Sequence, residues 1–305
     1  MNKDTTFGWE CYPVLYQVAD SFSIKAQNRF LGLFRWEQMV LLAGAMVSLF
    51  PLDYPRYGQL LAALSALFFI AAIIITVATK ILGYEEQWYI GRSIAESIKT
   101  LSWRFILNGE PFGVSKKMDE ATANFCAILK EIYSENGSSI GLSLKERETS
   151  FQPTQKMLTI RMSHFEERKQ LYIENRIKSQ LNWYNEKTAS NKIKETQFFY
   201  ILILCQSLAV LYSIYLIKNP NFFNGVPLLT AAASSLISWT KVKQFKEVAQ
   251  AYATTAQEIS AVLIQSDFVK NEQSFSVYVS DSENAFSREH TLWLARKDVF
   301  NYLSK

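Results

Sequence analysis

The feature that most constrains this chain is a long apolar stretch, residues 198–239. Its first arm, residues 198–217, has twenty residues without a charge, and its second arm, residues 222–239, has eighteen. Only four residues separate the arms. Each arm is long enough to cross the hydrocarbon core of a bilayer as a helix, and a helix satisfies its own backbone polar groups there. The stretch therefore predicts a membrane hairpin.

A second hairpin is predicted nearer the start of the chain. An apolar run at residues 39–50 reaches spanning length when the interfacial residues 30–33 and Trp36 are added. The run at residues 60–78 is unambiguous, since only Ser65 and Thr76 are polar. Four spans in two hairpins follow from these runs.

The two hairpins resemble copies of one unit. Residues 26–30 lie 163 positions before residues 189–193, and each segment precedes an apolar arm. The pair Thr79-Lys80 lies 161 positions before Thr240-Lys241, and each pair follows one. Agreement in order and spacing predicts an internal duplication. We expect one two-span unit in residues 1–150 and a second in residues 151–305.

Basic residues predict the orientation of the spans. Eleven lysines and arginines lie close to the spans outside the hairpins, whereas the turns hold only Arg56 and Lys218. Positive charge marks the cytoplasmic side. Both termini and the central region are therefore expected on the cytoplasmic side.

The segments outside the spans are mostly helical by pattern. Residues 80–107 and 241–269 are predicted to continue their spans as helices, and residues 154–197 form a helix that either breaks once or extends as a stalk. Residues 273–280 alternate and predict a strand or an extended link, followed by a last helix at 284–301. The fold class is an all-α membrane protein with four transmembrane helices, arranged as two hairpins with extended cytoplasmic helices.

Composition argues against enzymatic and nucleic-acid functions. The net charge is only +4, and the three cysteines are widely spaced, so neither nucleic-acid binding nor a metal or disulfide set is indicated. No phosphate loop, dinucleotide fingerprint or nucleophile elbow is present. Ser287 and His290 could be drawn as nucleophile and base, but packing of the last helix explains them better. We predict no catalytic residue, cofactor or metal.

Polar residues within the spans are the stronger functional signal. Thr230, Ser234, Ser238 and Lys241 lie near one helix face, at steps of four, four and three. Such residues commonly let membrane helices pack closely. Alternatively, they line a water-filled path with Lys241 at its cytoplasmic mouth. Because four spans are too few to enclose a pore, this path would require several copies of the chain.

Several of these features together resemble a known family. A cytoplasmic helix enters a span at residues 191–195, a tight hairpin follows, the chain exits as a helix at Thr240-Lys241, and it closes with residues 287–293, SREHTLW. This combination resembles the SLATT family of bacterial two-span membrane effectors. Residues 155–305 carry most of the likeness, and the first half resembles a more diverged unit.

The resemblance implies a role in antiphage or interbacterial conflict, with the chain in the inner (plasma) membrane of a bacterium. Effectors of this family are thought to form pores when a nucleotide second messenger or a partner protein activates them. The sequence therefore favours an oligomeric pore-forming or membrane-disrupting effector that works with a cytoplasmic sensor or a partner producing a nucleotide signal. The alternative is a non-conducting membrane anchor or scaffold whose cytoplasmic helices recruit a partner.

Overall fold

The computed structural model describes residues 7–50, 57–136 and 151–303, with side chains up to residue 287. Within these residues the chain is helical and contains no strand. Ten α-helices follow in order: α1 Val14–Ser48, α2 Gly58–Leu82, α3 Tyr84–Ile106, α4 Met118–Asn136, α5 Gln155–Arg161, α6 Phe165–Tyr172, α7 Ser179–Lys218, α8 Val226–Lys243, α9 Phe245–Gln265 and α10 Glu272–Leu303. A π-helical segment, Ile173–Lys178, joins α6 to α7.

The chain divides into two compact units. The hairpin unit consists of Gln27–Tyr84 and Thr188–Gln250. The helical core unit takes in the described parts of Met1–Ala26, Glu85–Lys187 and Ala251–Lys305. Each unit draws on both halves of the sequence, so this division runs across the expected boundary near residue 150, where the structure is not described.

Three helical stretches in the described residues are long and apolar enough to cross a membrane. They are Val14–Ser48, Gly58–Ile106 and Phe165–Lys218. These stretches contain three of the four predicted arms, which confirms the helical class and three helices of spanning length. Helix α8, which contains most of the fourth arm, is not among them.

The composition of α8 explains why it falls short. The predicted arm began at Phe222, but the helix begins at Val226, with Pro227 in its first turn, where proline is tolerated. The helix then runs through several serines and threonines to Lys241 and Lys243 in its last turn. With only 18 residues, α8 has no long apolar window.

Two left-handed residues interrupt the helices that leave the hairpins. Gly83 ends α2 with φ 56°, and Gln244 ends α8 with φ 47°. The prediction that residues 80–107 and 241–269 continue their spans was therefore wrong at these points. Glycine adopts positive φ without steric cost, whereas glutamine does so at some cost. Each break starts a new helix, α3 or α9, on the next residue.

Aromatic side chains fill the helical core unit. Trp103, Phe105, Phe125, Tyr172 and Phe275 are all fully buried. The indole Nε1 of Trp103 donates a hydrogen bond to the hydroxyl of buried Tyr12 at 2.8 Å, so its polar atom is satisfied as well. Burial of such large side chains supplies most of the stabilisation of a unit of this kind.

The prediction of a strand or extended link at residues 273–280 was wrong. These residues lie inside α10, which begins at Glu272. Phe275 and Val279 are buried at helical spacing, whereas Val277, which the alternating pattern placed with them, is half exposed. The hydroxyl of Ser276 donates to the carbonyl of Asn108 at 2.5 Å. Packing against the rest of the unit thus favours a helix at these residues, despite their short alternating pattern.

Of the two alternatives for residues 154–197, a single break or a continuous stalk, the structure shows a break. Helix α5 ends at Arg161 and α6 begins at Phe165, after His164 as its N-cap. From there the chain is helical through the π-helical segment to Lys218. The Thr154 hydroxyl caps α5 by accepting a hydrogen bond from the backbone N–H of Met157 at 3.3 Å.

Candidate functional site

The first hairpin, α1 with α2, is closely packed and internally hydrogen-bonded. Buried Ser65 donates its hydroxyl to the carbonyl of Gly44 at 3.1 Å. A Cβ at Gly44 would lie 3.1 Å from the ring of Phe69, so the helices approach as closely as they do because glycine is present. The hydroxyl of Thr76 donates to the carboxylate of Glu37 at 2.6 Å.

The second hairpin, α7 with α8, leaves an open groove between its helices. The Cys205 thiol donates to the carbonyl of Leu229 at 3.3 Å and marks where the helices touch. Beside this contact lies a groove of about 210 Å³. Its lining consists of Gln206, Ala209, Leu229, Thr230, Ala233, Ser234 and Ile237.

The four candidate pore-lining residues all lie on α8. Thr230, Ser234 and Lys241 are exposed, and Ser238 is half-buried. The groove brings Thr230 and Ser234 together, whereas Ser238 and Lys241 are not part of its lining. The Thr230 hydroxyl donates to the carbonyl of Val226, one turn back, at 3.0 Å. The groove therefore includes two of the four candidates.

Lys241 also has a structural role. It lies in the last turn of α8 together with Lys243. Cations there interact favourably with the partial negative charge at the C-terminus of a helix. The position of Lys241 therefore has an explanation that does not depend on ion entry.

Gln206 of α7 also lines the groove, although it was not among the predicted pore-lining residues. It is the only carboxamide in the uncharged run 198–217 and is exposed on α7, across the groove from Thr230 and Ser234. A lone amide in an apolar span was a usable signal, because polar groups in hydrocarbon are costly. Its proximity to α8, however, depends on how the two helices pack.

Two aromatic contacts pair the segment that contains α1 with the segment that contains α8. Phe34 of α1 packs on Trp239 of α8 with ring centroids 6.1 Å apart. Phe50, just past the end of α1, packs on Phe223, just before the start of α8, at 6.5 Å. The two contacts are sixteen residues apart along each segment. The two segments therefore lie side by side in opposite directions.

Trp239 carries a cluster typical of a membrane interface. The guanidinium of Arg35 and the ammonium of Lys243 each lie 5.8 Å from the centre of its ring. Tryptophan is enriched at the headgroup level, and basic side chains extend toward the headgroups there. Arg35 therefore has the surroundings of an interfacial side chain.

The helical core unit contains a fully buried ion pair. The Arg176 guanidinium, on the π-helical segment, contacts Glu283 of α10 through two nitrogens, at 2.7 and 2.9 Å. The Tyr172 hydroxyl donates to the same carboxylate at 3.0 Å. Burial alone lowers the pKa of Arg176, but the adjoining carboxylate raises it above its ordinary value. Arg176 therefore stays charged, and the pair holds α10 in place.

The Ser287 and His290 pair is only partly described. Ser287 is exposed near the middle of α10, whereas the side chain of His290 lies outside the described residues. The same is true of the other side chains at residues 288–293, which belong to the segment on which the family resemblance draws. His164, the other histidine, is an N-cap residue of α6. The two histidines therefore belong to different helices.

Two family models match the chain in tandem. The model described as SMODS and SLOG-associating 2TM effector domain 3 matches residues 13–169, more than half of the chain. The model described as SMODS and SLOG-associating 2TM effector domain 1 matches residues 172–293. No curated protein and no solved structure matches the chain. The protein is therefore a member of the SLATT family of two-transmembrane effector domains, with two such domains in one chain.

Proposed function

We propose that the protein is a four-span effector that forms an oligomeric pore, or otherwise disrupts the membrane, in a bacterial antiphage or conflict system. The observation that carries the proposal is the exposed polar face of α8, where Thr230 and Ser234 border a groove within the hairpin unit. Polar side chains on the outside of a membrane hairpin are costly unless water or another protein covers them. Assembly of several copies around this face supplies that cover.

The fourth span rests on the contacts between α1 and α8. Helix α1 is long and apolar enough to cross a membrane. Trp239 of α8 contacts Phe34 of α1, and Phe223, just before α8, contacts Phe50, just past α1. If α1 crosses the bilayer, α8 covers the same depth despite its serines and threonines, and the chain has four spans.

The duplication rests on the two left-handed breaks. Gly83 and Gln244 are 161 residues apart, which is also the separation of Thr79-Lys80 from Thr240-Lys241. In each half an arm leaves its hairpin, stops at a left-handed residue and continues as α3 or α9. This agreement supports two units of common origin in residues 1–150 and 151–305.

The trigger is proposed to act on the cytoplasmic helices. The printed description of both matched domains, SMODS and SLOG-associating, supports a partner that supplies a nucleotide signal or binds directly. The helical core unit has its own aromatic interior and buried ion pair, which suits a folded domain in water that responds to the trigger.

Ion flux from liposomes tests the pore. Ser234→Leu and Ser238→Leu place bulk on the polar face, so we expect flux to fall about tenfold or more while oligomers persist. Lys241→Glu should shift the preference toward cations. Ser48→Leu, at an exposed serine of α1, is the matched control. Unchanged conductance in assembled Ser234→Leu and unchanged selectivity in Lys241→Glu would remove this face from the pore.

Thiol labelling in whole cells tests the orientation. In a background without native cysteines, single cysteines at exposed Tyr57 and Asn221, next to the hairpin turns, should react with an impermeant reagent. A cysteine at exposed Val277 in α10 should not react. Labelling of Val277→Cys alone would place the turns in the cytoplasm and end the proposal of cytoplasmic termini.

The anchor alternative has one observation in its favour. Ile264 and Phe268, near the end of α9, are 63% and 76% exposed in the helical core unit, where a partner could cover them. A non-conducting anchor predicts that the assembled wild-type protein passes no ions. The same flux assay therefore separates the two functions.

A further inference from the structure

Gln206 lies close to the middle of the predicted bilayer. It borders the groove together with Thr230. Thr230 precedes Trp239 by nine residues, about 14 Å along the helix, and follows Phe223, at the other aromatic contact, by seven residues. Gln206 itself is the ninth residue of the 20-residue uncharged run. Both measures put its carboxamide far from either headgroup region.

An exposed carboxamide at that depth requires a polar neighbour. The group has two N–H donors and a carbonyl with two acceptor sites. Moving an amide from water to hydrocarbon costs about 4–8 kcal/mol when nothing replaces its hydrogen bonds. A lipid-facing position is therefore unfavourable. The neighbouring groove, at about 210 Å³, has room for several water molecules at about 30 Å³ each.

We infer that Gln206 lines the conduit together with Thr230 and Ser234, and that it solvates passing ions of either sign at the centre of the membrane. The inference rests on the proposed pore. A carboxamide both donates and accepts hydrogen bonds, so it can replace hydration water around cations and anions alike. Charge preference is then set at the Lys241 level and not at the centre, where Gln206, Thr230 and Ser234 are all neutral.

Accessibility of a thiol to water tests the location. Cys11, Cys126 and Cys205 are first replaced by serine. Gln206→Cys should then react with a charged methanethiosulfonate reagent in liposomes, and flux should fall several-fold on reaction. Leu204→Cys is the matched control, because this exposed residue lies two positions away on the same helix and so faces another direction. It should stay unmodified.

Substitutions that keep the size of the side chain test the role. Gln206→Glu should raise the ratio of cation to anion permeability at least several-fold. Gln206→Leu should lower flux of both ion types about tenfold, with unchanged assembly. A conducting wild type in which Gln206→Cys is unreactive and Gln206→Leu conducts normally overturns the inference and leaves the pore in place. Absence of flux from assembled wild-type protein removes the pore and the inference together.

Discussion

The two hairpins share a plan but differ in how they treat polar groups. In the first hairpin, Ser65 is buried and donates to the backbone of Gly44, and Thr76 donates to Glu37 across the helix pair. In the second hairpin, Gln206, Thr230 and Ser234 are exposed around a groove. Polar side chains thus bond between the helices of the first hairpin, whereas in the second hairpin they are exposed at its surface.

This difference suggests a division of roles within a duplicated chain. The arms also differ in length. Helix α2 has 25 residues, whereas α8 has 18. At the 163-residue offset the end of α1 corresponds to residue 211, and α7 continues seven residues beyond it. A short, serine-rich helix is poorly suited to face lipid on all sides. We therefore expect the first hairpin to be the scaffold and the second to carry the functional surface.

The largest expected contrast compares one serine from each hairpin. Ser65→Leu overpacks the α1–α2 contact and removes a hydrogen bond, so we expect a loss of about 2–4 kcal/mol in the free energy of unfolding. Ser234→Leu, at an exposed position, should change it by less than about 0.5 kcal/mol. Denaturation of the protein in detergent measures both. Equal losses would mean that the second hairpin is as closed as the first.

A smaller contrast compares two glycines of α1. Gly44→Ala puts a Cβ 3.1 Å from the ring of Phe69 and 3.2 Å from Phe68, whereas a Cβ at Gly32 meets nothing within 4 Å. Gly32→Ala should stabilise the helix by up to about 1 kcal/mol through helix propensity. Gly44→Ala should lose that gain to overpacking and be about 1–2 kcal/mol less stable than Gly32→Ala. Stabilisation of both variants to the same extent would contradict close packing at Gly44.

The smallest contrast compares two threonine hydroxyls. Thr76→Val removes the interhelical hydrogen bond to Glu37 and should cost about 0.5–1.5 kcal/mol. Thr230→Val removes a hydroxyl that bonds within its own helix, so its cost should be a few tenths of a kcal/mol. Thermal unfolding of the two variants under identical conditions gives the difference. A larger loss for Thr230→Val would show that its hydroxyl has an interhelical partner.

Much of the fold could be predicted because the signals are local. Charge-free length identified the arms, and the helix predicted to end at residue 107 ends at Ile106, two residues before Asn108 with φ 57°. Gly83 was an available signal for the break after α2. Gln244 gave none, since only the tertiary structure imposes a left-handed conformation on glutamine. The short pattern at residues 273–280 failed because eight residues cannot show a helical period as well as a whole helix does.

The candidate site was predictable only within a single helix. Spacing alone put Thr230, Ser234, Ser238 and Lys241 on one face of α8. Gln206 could not be added, because its place depends on the register of α7 against α8. The buried ion pair was not predicted for a similar reason, since its members are 107 residues apart.

The pair of Arg176 and Glu283 has a consequence for how this chain can evolve. Loss of either partner alone leaves a charge stranded in the aromatic interior, a change that typically costs about 3–5 kcal/mol, whereas replacement of both by apolar side chains of similar volume is often neutral. Natural selection should therefore remove single substitutions at these positions, and the two residues should change only together. Positions 176 and 283 are therefore expected to covary among related sequences.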